Sequence, residues 1–229
     1  MCFSPTGSFV LSGVLASVGA VAVTQNSTRQ HRMFAAIPFL FAAQQASEGV
    51  VWLTVKGGAD SSLLRVAVIA FLGCALVVWP VWVPVSLRRI ERNAGRRRTL
   101  TVLSWAGAAV SVAAAFLLAL WQPVAAIAAH SIRYSYGYGG KAGVARELFL
   151  LMAYVTPTII PFFISSTTMA KAIGTTLVLS LTAALLIERD ALTSVWCFFA
   201  AILSGVILVA VRRETGTHET FAPPRRSPA

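Results

Sequence analysis

The chain has 229 residues, of which 57% are apolar without counting glycine and only 12% are charged. Soluble domains reach ~45–50% apolar with glycine included, so a mean hydropathy of +0.74 excludes both a soluble globular domain and a disordered chain. Three cysteines are too few for a disulfide scaffold, and a net charge of +11 has to be explained within a membrane rather than by a nucleic-acid partner.

A hydrocarbon core of ~30 Å takes about 20 helical residues, because backbone groups in lipid must be satisfied within the segment. Seven stretches meet that length: 8–24, 34–56, 63–87, 99–121, 147–165, 168–187 and 192–211. The first contains Ala20-Val21-Ala22, which looks like a signal-peptide cleavage site. Its positive charge comes after the apolar run, at Arg29, and not before it. It is therefore read as a retained span.

The second stretch carries the clearest chemistry. Glu48 lies within Gln44-Gln45-Ala46-Ser47-Glu48-Gly49-Val50-Val51-Trp52, about 12 Å from the Lys56 end at ~1.5 Å per residue. Gln44, Glu48 and Trp52 are spaced i, i+4, i+8 and share one helix face, with Gln45 at its edge. An acid at that depth is costly and marks a functional site by default. Apolar surroundings keep such a carboxyl protonated at neutral pH, which makes it a proton donor. The competing structural reading is a helix–helix hydrogen-bond network in which Glu48 pairs with a glutamine.

The third stretch ends in Trp79-Pro80-Val81-Trp82-Val83-Pro84. Two prolines four apart are expected to kink the helix and free carbonyls. The run 88–98 that follows holds six arginines, and Glu91 among them is expected to pair with one at the surface. After the fourth stretch comes a long loop, 122–146, with His130, Arg133, Tyr134, Tyr136 and Tyr138 and several glycines. That loop is expected to lie over the bundle. Tyr154 in the fifth stretch falls about 10 Å from its outer end, near the level of Glu48. Thr182 of the sixth stretch is comparable, and Glu188-Arg189-Asp190 reads as a solvated turn. Ser194, Trp196 and Cys197 open the seventh stretch, the last two within ~8 Å of its outer end. The remainder, 214–229, reads as a disordered tail.

Orientation follows from the basic residues. Thirteen of the nineteen fall in alternate loops: Arg29 and Arg32, the six of 88–98, Lys171, and Arg212, Arg213, Arg225 and Arg226. The reading is an all-α integral membrane protein in the plasma membrane: a seven-transmembrane helix bundle with its N-terminus outside and its C-terminus cytoplasmic. Residues 1–213 form the membrane domain and 214–229 a cytoplasmic tail. No HExxH, CxxC, GxSxG or phosphate-loop pattern is present, and no span holds a deep lysine for a retinal Schiff base. No metal and no cofactor are expected.

The opening Met1-Cys2-Phe3-Ser4-Pro5-Thr6-Gly7-Ser8-Phe9, the Gln45-x-x-Glu48-Gly49-x-x-Trp52 segment, Trp79-Pro80-x-Trp82-x-Pro84, His130-x-x-Arg133-Tyr134 and Ser194-Val-Trp196-Cys197-Phe-Phe-Ala-Ala resemble one bacterial family. Its members are small polytopic membrane proteins of unknown function that usually begin MCFSATASF; here Pro5 and Gly7 replace two alanines. In size, span number and arginine- and alanine-rich style the chain also resembles the membrane-bound terpene cyclases of actinomycete clusters for prenylated indoles, and fungal membrane cyclases of meroterpenoids, which use buried carboxyls. That second resemblance implies a proton-initiated cyclisation of an isoprenyl chain on a lipophilic substrate. Glu48 would protonate a terminal alkene or epoxide. Trp52, Tyr154 and Trp196 would stabilise the cation, by roughly 2 kcal/mol or more each when desolvated. His130, or a water held by Gln44 or Gln45, would take the final proton. Cys197 completes the expected substrate-binding set. The other readings are a non-enzymatic sensor or accessory subunit and a proton-coupled carrier. A carrier needs polar residues at both depths, and the inner half of the spans has almost none.

Overall fold

The computed structural model describes residues 4–25, 29–57, 62–128, 131–135, 144–187 and 204–205. The first helix, α1 (Pro5–Thr24), starts where Ser4 accepts a hydrogen bond from the Gly7 N–H at 3.1 Å, with Pro5 in the first helical position. A short turn of helix, α2 (Arg32–Ala35), leads into α3 (Ile37–Lys56), which runs antiparallel to α1. The two pack ring on glycine in both directions. The Phe9 ring covers Gly49 and the Phe39 ring covers Gly19, while the Ser12 hydroxyl donates to the Ala42 carbonyl at 2.8 Å.

The next pass is one continuous helix of 29 residues, Ser62–Ile90. It is α-helical over α4 (Ser62–Leu72), widens into a π turn at Gly73–Val78, and returns to α-helix as α5 (Trp79–Ile90). Pro80 explains the π turn. In a π register the carbonyl of residue 75 looks to the N–H of residue 80, and proline has none. A neighbouring helix supplies a donor instead: the Tyr154 hydroxyl donates to the Ala75 carbonyl at 2.7 Å. The Ser111 hydroxyl donates to the Val77 carbonyl, also in the π turn, at 2.6 Å. Pro84 in turn cannot serve the Pro80 carbonyl, and α6 (Ala94–Trp121) brings the bare Cα of Gly107 against it. The helices α7 (Val144–Ile164) and α8 (Thr168–Ile187) complete the described bundle.

The expectation of an all-helical chain needs correction. Gln122 adopts a left-handed conformation (φ 33°) that ends α6, and Pro123 prevents its continuation. The segment beyond forms an antiparallel hairpin, β1 (Val124–Ala128) and β2 (Ser131–Ser135), with Ile127 opposite Ile132. The hairpin lies on one end of the bundle. Ala125 and Ile132 are buried in an apolar cluster with Val51, Trp52, Phe71, Leu72 and Leu118, and the Tyr134 ring stacks on Phe71 at 4.8 Å. A second cluster fills the opposite, arginine-bearing end: Phe34, Ile37, Val83, Leu87, Ile90, Leu100, Phe162 and Ile173.

Five helices are long and apolar enough to cross a membrane: Pro5–Thr24, Ser62–Ile90, Ala94–Trp121, Ala145–Ile164 and Met169–Leu186. The expected second span is present as α3, of equal length to α1, but its polar residues keep it outside that set. The expected seventh span and the tail lie outside the described residues, apart from helical Ser204 and Gly205. The outward faces are apolar. On α6 they carry Val102, Trp105 (75% exposed), Val112, Phe116 and Leu120. Such a stripe is stable in lipid and not in water; the chain is a membrane protein.

Glu91 corrects a second expectation. It is no surface ion pair. It is 4% exposed in the turn between α5 and α6, where it accepts from the Asn93 N–H at 2.9 Å, the Ser166 N–H at 2.7 Å and the Ser166 hydroxyl at 2.9 Å. This one carboxylate ties the α5–α6 turn to the α7–α8 turn. Burial alone pushes its pKa up. The Asn93 and Ser166 donors and the charge of Arg96 together outweigh that, and the carboxyl lies below its ordinary value. A depressed folded pKa gives stability that is present above the unfolded value of about 4.3 and is lost as pH falls through the folded one. Thermal unfolding in detergent should therefore show Glu91→Gln less stable than the parent by about 1.5–3 kcal/mol at neutral pH, with the difference shrinking as pH falls below about 4. A Cβ at Gly107 would overlap the Pro80 carbonyl and press on Pro157, whereas Gly13 has nothing within 4 Å among the described residues. Gly107→Ala should lose about 1–3 kcal/mol in the same assay, and Gly13→Ala should lose none.

Candidate functional site

Glu48 is placed by α3, the helix that runs between α1 and α4. The packing of Phe9 on Gly49 holds α3 close to α1 at this level. Three adjacent polar side chains turn inward: Gln44 (3% exposed), Gln45 (0%) and Glu48 (0%). They lie on α3 between the residues it gives to the arginine-end cluster, Ile37 and Phe41, and those it gives to the hairpin-end cluster, Val51 and Trp52. The π turn occupies the same place on the neighbouring pass, between Leu72 of one cluster and Trp79 of the other. The bundle thus has a polar layer between two apolar cores.

The glutamine nearest the arginine end has a defined partner. The Trp79 indole N–H donates to Gln44 Oε1 at 2.9 Å, a buried bond across helices. Phe41, one turn before Gln44, lies against the Trp79 ring with centroids 4.2 Å apart. Trp79 is the member of the layer that the sequence reading missed. Its motif with Pro80 suggested helix shape and interfacial anchoring, and the useful signal was its burial, which no sequence pattern exposes. Trp82, three residues on, donates to the Met33 carbonyl at 3.0 Å and ties α5 to α2.

The other expected site residues divide. Gln45 and Glu48 are in the layer, and both are engaged within the protein. Tyr154 reaches the layer from α7, where its hydroxyl serves the Ala75 carbonyl. Trp52 follows one turn after Glu48. Its ring is 2% exposed in the hairpin-end apolar cluster, with the Lys56 ammonium 5.6 Å from the ring centroid. The predicted face of Gln44, Glu48 and Trp52 is buried throughout, yet it crosses from the polar layer into the apolar core within two turns. His130, Trp196 and Cys197 lie outside the described residues. Among the described residues, no three His, Cys, Asp or Glu side chains are grouped to hold a metal ion.

Chemically, the layer offers a carboxyl group held among amides and indoles in a low-dielectric interior. Removing one half of a buried pair leaves the other half unsatisfied, while removing both costs less. Trp79→Phe should therefore lower stability by about 1–3 kcal/mol. Adding Gln44→Leu to it should recover part of that loss. Thermal unfolding of the two single variants and the double variant checks this as a cycle.

The model described as "Family of unknown function (DUF6629)" matches residues 1–221. No curated protein and no solved structure matches.

Proposed function

The chain belongs to the DUF6629 family of unknown function, and from that footing we propose that it is a lipid-phase enzyme, a membrane-bound terpene cyclase that starts the cyclisation of an isoprenyl chain by proton transfer from Glu48. The observation that carries the reading is the complete burial of Glu48 on α3, between two apolar cores and beside buried Gln45. A carboxyl in such a place holds a proton that an apolar chain can receive, and water that would quench a carbocation is excluded. Within the proposal, Gln44, Gln45 and Tyr154 shape the polar side of the site, and Trp196, Cys197 and His130 join it from the seventh span and the outer loop. The substrate is a lipophilic prenylated indole, and no metal or cofactor takes part.

The proposal extends to architecture. The protein is a seven-span bundle over 1–213 in the plasma membrane, with the N-terminus outside and a cytoplasmic tail at 214–229. The excess of basic residues in alternate loops supports that orientation.

A second reading, a non-enzymatic sensor or accessory subunit, is favoured by one specific observation. The amide oxygen of Gln44 and the hydroxyl of Tyr154 are both committed to bonds inside the bundle. Substrate turnover separates the two. Membranes containing the protein are given a farnesylated indole, and the product is sought as an isomer of unchanged mass. The parent should form it, and Glu48→Gln should form it about a hundredfold or more slowly while unfolding near the parent temperature. No isomer from a panel of prenylated substrates leaves the non-enzymatic reading. A Glu48→Gln variant as fast as the parent removes Glu48 as the acid.

A further inference from the structure

The end of the bundle that carries Glu91 has an unbalanced charge. Arg89, Arg92, Arg96, Arg97 and Arg98 are all exposed there. The single acid at that end among the described residues, Glu91, is drawn inward by its bonds to Asn93 and Ser166; one carboxylate, felt by Arg96, stands against five exposed arginines.

Two further features of α6 say where these arginines stand and what they lack. At ~1.5 Å per residue, the 28 residues of Ala94–Trp121 span about 42 Å, some 12 Å more than the hydrocarbon core. The apolar part of α6 begins at Leu100, buried in the arginine-end cluster, which leaves 94–99 as the polar stretch that exceeds the hydrocarbon length. The same residues form the N-terminal turns of the helix, where the macrodipole is positive. Arg96, Arg97 and Arg98 add three positive charges to that positive end. This arrangement opposes helix formation unless anions neutralise it from outside. Guanidinium groups pair with phosphate oxygens through two parallel N–H bonds, which suits them to phosphodiesters.

We propose that the first turns of α6, with Arg89 and Arg92 before them, form a docking surface for the headgroups of anionic phospholipids. The surface works at the depth where α6 overshoots the hydrocarbon, and it does not depend on the chemistry at Glu48. Neutralisation by lipid phosphates removes the repulsion within the arginine turns and between them and the helix dipole.

The test uses the full chain purified in a neutral detergent. Its unfolding temperature is followed while short-chain phosphatidylglycerol, short-chain phosphatidylcholine or inorganic phosphate is added. Phosphatidylglycerol should raise it, and the other two should not. In the variant Arg96→Gln/Arg97→Gln/Arg98→Gln, the phosphatidylglycerol concentration giving half the rise should increase about tenfold or more. In phosphatidylcholine that variant should be at least as stable as the parent, because the repulsion at the helix N-terminus is gone. Arg133→Gln, an exposed arginine of the hairpin end, should keep the parent response. The proposal is overturned by an equal rise with phosphatidylcholine, or by inorganic phosphate reproducing the whole rise. It is also overturned if the triple variant keeps the parent response or Arg133→Gln loses it equally.

Discussion

A peptide carbonyl inside a bilayer must find a donor within the protein, and this bundle is arranged around carbonyls that proline leaves without one. Pro80 cannot serve Ala75, and Pro84 cannot serve Pro80. The helix answers the first by widening into a π turn, and its neighbours supply the rest: Tyr154 from α7 for Ala75, and the bare Cα of Gly107 from α6 against the Pro80 carbonyl. These contacts fix α6 and α7 against the Ser62–Ile90 pass, and Ser111 of α6 adds a bond to the Val77 carbonyl. A missing N–H at two positions thus sets the packing of three passes.

The same level of the bundle holds α3's polar residues. Trp79 closes on Gln44 from the residue just after the π turn, so the irregular helix and the polar layer meet there. Apolar cores lie on either side of the layer. Few packing arrangements place two glutamines and a glutamate in a bilayer without exposing them to lipid. Here α3 is the inner helix, flanked by α1 and α4, and the better lipid-facing surfaces belong to α6 and the later helices. The penalty for burying Glu48 is the clearest reason to look for chemistry there.

The two ends of the bundle are built differently. At one, a two-stranded hairpin covers the apolar cluster and Tyr134 stacks on Phe71. At the other, one carboxylate takes three hydrogen bonds and joins two interhelical turns, which leaves the arginines around it facing outward. The first end is closed by apolar packing and the second by charge. A single buried glutamate offsets only part of that basic surface.

By itself the amino-acid sequence determined the membrane class of the protein, the approximate positions of its described long helices and the place of Glu48 deep within one of them. Those depend on local composition and on a 3.6-residue period, and both can be counted along the chain. It also showed that Pro80 and Pro84 must free carbonyls. Only the tertiary structure decided what meets them, because Tyr154 lies 79 residues away from its acceptor and Gly107 comes from another pass. The same holds for Trp79, which looked like an interfacial anchor until Gln44 was placed beside it, and for Glu91, whose partners come from a turn 75 residues later. The hairpin was missed because its strands are stabilised by packing on the bundle end, and five residues of modest β-propensity carry little signal alone. Polar side chains in a membrane protein take their meaning from whichever helix faces them, and that choice is made by packing between passes distant in sequence.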